Sequence, residues 1–149
     1  MKIYKIIEWD MGHRIPNHQS QCRHLHGHRY RLEVCLQGKL IDKANDSSEG
    51  MVMDFSEVKI ILNSEVKDVC DHAFMVWKND RKLINFFKEN SEMKHVVVSF
   101  IPTAEEISRW LFNKLNKRFK DKFKTGLKLT ETIVWETPTS KASYSLKDK

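Results

Sequence analysis

The sequence predicts an α+β domain, an antiparallel sheet with helices packed on one face. Three observations predict it. Segments of period-2 alternation stand in pairs toward the two ends of the chain, and segments of period 3.6 fill the middle. The regular strand–helix alternation that a doubly wound parallel sheet requires is missing.

Residues 2–10 (KIYKIIEWD) are strand formers, with Tyr4 and Ile6 on one face and Ile3, Ile7 and Trp9 on the other. Residues 28–38 alternate cleanly: Tyr30, Leu32, Val34 and Leu36 face one way, Arg29, Arg31, Glu33 and Cys35 the other. Residues 39–50 end in polar turn formers and read as a loop. Asp54 opens a helix, Glu57 completes a capping-box pattern, and Val58, Ile61, Leu62, Val66 and Val69 follow at helical spacing. Residues 81–90 make a short helix carrying Leu83, Phe86 and Phe87, and residues 94–100 a strand that stops before Pro102. A second long helix starts after Thr103, its N-cap, with Ile107, Trp110, Leu111, Leu115 and Phe119 at period 3.6 and Gly126 where a terminator belongs. Residues 127–136 alternate again, and a last strand runs from Ala142 to Leu146.

A length of 149 residues reads as one domain, 1–149. Three cysteines, an odd number in a chain large enough to fold without bridges, predict a reducing, cytoplasmic setting and no disulfide framework. No apolar signal core opens the sequence, and no run approaches the ~20 apolar residues of a membrane span. The net charge of +6 favours anionic partners. The densest basic run, Lys114 to Lys124, reads as the solvated face and end of a helix, not as a nucleic-acid surface.

Chemistry concentrates at Cys22-Arg23-His24-Leu25-His26-Gly27-His28. Four of the seven histidines, His18, His24, His26 and His28, fall within eleven positions, and His13 lies just before them. His26 and His28, two apart at the mouth of a strand, point to the same face. If the first two strands pair as a hairpin, His13 falls in register with them. Three imidazoles and a vacant position describe catalytic zinc. Cys22, in a polar turn rich in histidine and arginine, is a fourth ligand of a structural site, an inert thiol, or a reactive thiolate beside the metal. Cys35 and Cys70 fall in core patterns. Asp71-His72 is a carboxylate–imidazole pair suited to proton transfer. Glu136 closes a strand on the parity of Thr132 and Val134, as an ordinary surface carboxylate at a strand end or as one that grips a cationic or amidine-like edge through two parallel hydrogen bonds. Helix capping accounts for Thr103, with Glu105 beside it.

Taken together, the segments Trp9 to Arg14, Cys22 to Tyr30 (Cys-x-x-x-His-Gly-His-x-Tyr), Gly50 to Phe55, Asp71-His72, Pro102 to Glu105 and Trp135-Glu136-Thr137 resemble, in order, the 6-pyruvoyltetrahydropterin synthase family. Three residues separate Cys22 from His26. That spacing is similar to the carboxy-forming bacterial branch and shorter than the animal type. The resemblance implies a tunnelling-fold (T-fold) domain with His13, His26 and His28 as Zn2+ ligands. It implies Cys22, Asp71 and His72 as the proton-transfer group, and Glu136 as anchor of the pterin's amino-pyrimidine edge, with Thr103 and Glu105 nearby. It further implies a homo-oligomer, trimer or hexamer, with active sites at subunit interfaces. The implied substrate is 7,8-dihydroneopterin triphosphate, converted to 6-carboxy-5,6,7,8-tetrahydropterin with release of triphosphate and acetaldehyde, in 7-deazaguanine (queuosine-type) biosynthesis. Arg14, Arg23 and His24 are candidates for a triphosphate rim. Two alternatives stand beside this reading: a 6-pyruvoyltetrahydropterin product, and a non-enzymatic zinc-stabilised module that binds nucleic acid. The segment between Phe74 and Ile101 is longer than in compact members.

Overall fold

A computed structural model describes residues 1–123 and 126–148. Its six strands are β1 (Lys2–His13), β2 (His26–Gln37), β3 (Ala73–Trp77), β4 (His95–Val98), β5 (Lys128–Thr137) and β6 (Ser140–Ser145). They form one sheet in the order β4-β3-β1-β2-β5-β6. The pairs β1–β2, β2–β5 and β5–β6 are antiparallel, as the alternating segments predict. β3 and β4 extend the other edge in parallel with β1, which makes the whole sheet mixed. β3 has no counterpart among the predicted elements. Its Ala73, Met75 and Val76 are all buried, so the run carries no in–out alternation to read.

The first helical segment is α1 (Phe55–Leu62), which widens into a π turn (Asn63–Lys67) and closes as a short α2 (Asp68–Cys70). Asp54 caps it by accepting the Ser56 amide at 2.7 Å. The reciprocal half of the predicted capping box is not made, because the Glu57 carboxylate faces Lys122 at 3.4 Å instead. The π turn inserts one extra residue, so Cys70 and not Val69 takes the last fully buried position.

α3 (Arg81–Glu89) bridges β3 and β4, with the Phe87 ring stacked on His95 and tilted against Phe74. α4 (Ala104–Lys122) starts where Thr103 accepts the Glu106 amide at 3.4 Å. Its buried face, Ile107, Leu111, Phe112, Leu115 and Phe119, joins the inner faces of β1, β2 and β5 in one core. Each such side chain contributes about 1.5–3 kcal/mol on leaving water. Ser108 and Thr132 clasp helix to sheet, each hydroxyl donating to the other's carbonyl (3.1 and 3.0 Å).

The basic run is more than a solvated face. Lys114 and Arg118 reach Glu65 at 3.6 and 3.1 Å, and with Lys122 on Glu57 they strap α4 to α1 and the π turn. Lys124 lies outside the described residues. Gly126, at φ 93°, stands just before β5, four residues beyond the helix end at Lys122.

Candidate metal centre and active site

The β1–β2 register makes His13 the direct cross-strand partner of His26, and Met11 that of His28. Because His13, His26 and His28 share the parity of the inner face, the three rings converge at the end of the hairpin. Their centroids lie 4.5 Å (His13–His26), 5.2 Å (His13–His28) and 5.1 Å (His26–His28) apart. One ligand atom from each lies within 4.8 Å of the others. The opposite face is glycine: a Cβ on Gly12 would meet the Phe74 ring at 2.5 Å, and one on Gly27 the Met11 carbonyl at 3.0 Å.

Carbonyl partners set two of the tautomers. His13 donates Nδ1–H to the Pro102 carbonyl (2.7 Å), and His26 donates Nδ1–H to the His24 carbonyl (2.8 Å). Each Nε2 is left with its lone pair, the form that binds a metal. Nε2 of His13 is buried without a hydrogen-bond partner. Burial and the neighbouring His26 and His28 outweigh the Pro102 hydrogen bond and bring the His13 pKa down to about 4. Burial, reinforced by His26 and opposed by Glu136, lowers that of His28 as well. Both rings are therefore neutral near pH 7. An orphaned buried nitrogen among neutral imidazoles fits a divalent cation of zinc's ligand preference, which Nε2 of His13, His26 and His28 would hold.

Glu136 stands beside the trio. Its Oε1 lies 3.5 Å from Nε2 of His13 and 3.9 Å from Nε2 of His28. The β5–β6 register shifts between Trp135 and Thr137, so Glu136 occupies a bulge, a device that re-aims a side chain. Glu136, Thr103 and Glu105 line one cleft with Ile15, Ser140 and Lys141, of about 310 Å³. The structure thus brings the three predicted substrate-binding residues together. The link is the Pro102–Thr103 step, whose carbonyl steadies His13 and whose hydroxyl caps α4.

Tyr30 was placed on the core face by sequence parity alone. Its ring is fully buried against Trp9, His13 and His28, and burial with the Glu136 charge raises its pKa. The Pro102 carbonyl, Tyr30 and Lys141 are the parts of the site that sequence reasoning missed. The parity of Tyr30 with His26 and His28 was the signal available for it.

Cys22 lies half-buried in a short 3-10 turn (Gln21–Arg23), and its carbonyl accepts the Ile15 amide at 2.8 Å. Its Sγ is not among the atoms that converge with the three nitrogens. Asp71 and His72 pair at 3.2 Å on the far side of β1, and His72 shares a groove with Gly12, Gly27 and His28. Arg14 is not free to form a phosphate rim. It donates twice to Asp80, at 2.6 Å each, and Asp80 is 5% exposed and caps α3. Burial pushes the Asp80 carboxyl up, but the Arg14 guanidinium and the Leu83 and Lys82 amides prevail and hold it below the usual range. Arg23 and His24 contact each other at 3.4 Å in the exposed turn.

Among the described residues no helix is long and apolar enough to cross a membrane. The family model described as 6-pyruvoyl tetrahydropterin synthase matches residues 2–147. A protein of Haemophilus influenzae named 6-carboxy-5,6,7,8-tetrahydropterin synthase is 37% identical over 145 residues, covering 96% of this chain and 97% of the relative. One of the same name from Rickettsia bellii is 35% identical over 135 residues, covering 89% and 94%. Among solved structures, an uncharacterized protein from Wolinella succinogenes superposes with a TM-score of 0.80 at 25% identity, over 98% of both chains. The 6-pyruvoyl tetrahydropterin synthase of Caenorhabditis elegans superposes with a TM-score of 0.66 at 21% identity, over 97% and 94%. With the family's motifs in order, its fold, and relatives above 30% identity along nearly the whole length, this chain belongs to the 6-pyruvoyl tetrahydropterin synthase family.

Proposed function

We propose that the chain is a zinc-dependent lyase that converts 7,8-dihydroneopterin triphosphate to 6-carboxy-5,6,7,8-tetrahydropterin. The reaction releases triphosphate and acetaldehyde with consumption of water, in the cytoplasm, as a step of 7-deazaguanine (queuosine-type) biosynthesis. The observation that carries this reading is the convergence of His13, His26 and His28 beside Glu136, which also lines the cleft with Thr103 and Glu105. The names of the bacterial relatives support the substrate class.

When bound, zinc would polarise the hydroxyl oxygens of the substrate side chain and offset negative charge developing next to the ring. Glu136 would hold the amino-pyrimidine edge through two parallel hydrogen bonds and so orient the side chain toward the histidines. Cys22 would remove a proton from a side-chain carbon as thiolate. His72, oriented by the Asp71 carboxylate, would exchange a proton at the opposite face. Cys22 and the Asp71–His72 pair stand outside the histidine cluster of one chain. This favours a homo-oligomer, trimer or hexamer, in which sites are completed between subunits. The pairing of Lys114, Arg118 and Lys122 with Glu65 and Glu57 counts against a nucleic-acid-binding module.

Mass spectrometry of products from 7,8-dihydroneopterin triphosphate, with and without chelator, tests the reading. A 6-carboxytetrahydropterin product that disappears on chelation and returns with zinc is expected. A 6-pyruvoyltetrahydropterin product would reassign the reaction within the family, and no turnover by zinc-loaded protein would refute the enzyme.

A further inference from the structure

The Asp71–His72 turn is held from two sides. On one side, the Asp10 amide donates to Oδ1 of Asp71 (3.0 Å), and the Asp10 carbonyl accepts the His72 amide (2.8 Å). On the other, the Lys94 ammonium donates to the carbonyls of Asp68 (2.9 Å) and Asp71 (2.7 Å). The end of a helix leaves such carbonyls without intrahelical partners, and a lysine there is a favourable donor. Between the two holds His72 sits at φ 59°, in the left-handed region that a residue with a Cβ enters at a cost of about 1 kcal/mol or more. Such a conformation persists only where the surroundings over-determine it. The His72 side chain is 79% exposed, so apart from its 3.2 Å contact with Asp71 the main chain alone aims the ring.

Lys94 is itself well placed. Its carbonyl accepts the Phe74 amide at 3.1 Å, and the next residue, His95, starts β4 and stacks on Phe87. The long segment between Phe74 and Ile101 therefore carries, just before β4, a lysine directed back at the turn that precedes the segment.

We propose that Lys94 is a positioning residue for the Asp71–His72 pair. By tying down the Asp68 and Asp71 carbonyls it keeps His72 left-handed and its imidazole aimed for proton transfer. The inference rests on the catalytic reading of Asp71–His72 given above. A role confined to capping the helix would change stability and leave turnover by folded protein intact.

Lys94→Met keeps the aliphatic stem and removes the donors, whereas Lys94→Arg keeps donors. Both are compared with the parent and with His72→Ala as zinc-loaded full-length protein. The readouts are kcat and KM for 7,8-dihydroneopterin triphosphate, together with zinc content and Tm. Lys94→Met should lower kcat about tenfold, since small misplacements of a catalytic group are costly. KM should stay within about twofold and zinc content unchanged, because the lysine touches neither ligand nor cleft. Lys94→Arg should recover most of the loss, and Lys94→Met added to His72→Ala should cost nothing more. If Lys94→Met does not fold, Lys94→Gln is read the same way. Unchanged kcat in the lysine variants, alongside a His72→Ala enzyme that has lost turnover, would overturn the inference while sparing the pair. A His72→Ala enzyme at parent rate would overturn the reading of the pair, and this inference with it.

Discussion

His13 and His26 face each other as cross-strand partners, and each gives Nδ1–H to a backbone carbonyl, Pro102 for one and His24 for the other. The two donations orient both free nitrogens before any ion arrives. Removing one ring should therefore leave the hairpin intact and abolish the site. His26→Ala is expected to lose bound zinc with little change in thermal unfolding of the metal-free protein. Metal analysis checks this, and zinc retained at the parent's ratio would dismiss His26 as a ligand.

The same burial makes His13 sensitive to acid. Its pKa in the folded chain is about 4, against an ordinary value of 6.5, so between those pH values the unfolded chain binds a proton that the folded chain refuses. Stability is complete above pH ~6.5 and falls as pH drops toward 4, by roughly 3 kcal/mol from this residue. Urea unfolding of metal-free protein at pH 7 and pH 4.5 should show the loss, and His13→Gln should shrink it. An equal difference in both proteins would assign the acid lability elsewhere.

Cys22 lies apart from the nitrogen cluster, so its loss should spare the metal. Cys22→Ala is expected to keep zinc and fold while turnover drops about 100- to 10,000-fold, the range of general acid–base assistance. Product formation at the parent rate would remove the thiol from the chemistry.

Asp80 is expected to matter for folding. It neutralises Arg14 through two hydrogen bonds and caps α3 from a site 5% exposed. Asp80→Ala leaves a guanidinium unmatched and should cost about 3 kcal/mol in urea unfolding. A loss below ~1 kcal/mol would show that solvent screens the pair.

Much of the site was readable because period-2 arithmetic is reliable in a hairpin. Once His26 and His28 share a face with Tyr30 and Leu32, an antiparallel partner brings His13 opposite them, and the register does so. Thr103 was readable because capping is local. Other features depend on partners far along the chain. Nothing near Arg14 announces Asp80, so a candidate for phosphate recognition is an ion-paired anchor. β3 is buried without alternation, and its short length leaves too few residues for a pattern. The bulge at Glu136 depends on the β5–β6 pairing, which the β5 sequence alone does not contain.

The π turn at Asn63–Lys67 ties the orientation of Asp71 and His72 to a residue count. Each helical residue advances the chain by about 100°, and the wide turn absorbs one such advance, so a regular α-helix with the same number of residues would swing all that follows by more than a quarter revolution. Cys70 would leave the interior, and the carboxylate that meets the Asp10 amide would face away from it. Shortening the stretch by one residue would close the wide turn and leave those faces where they are.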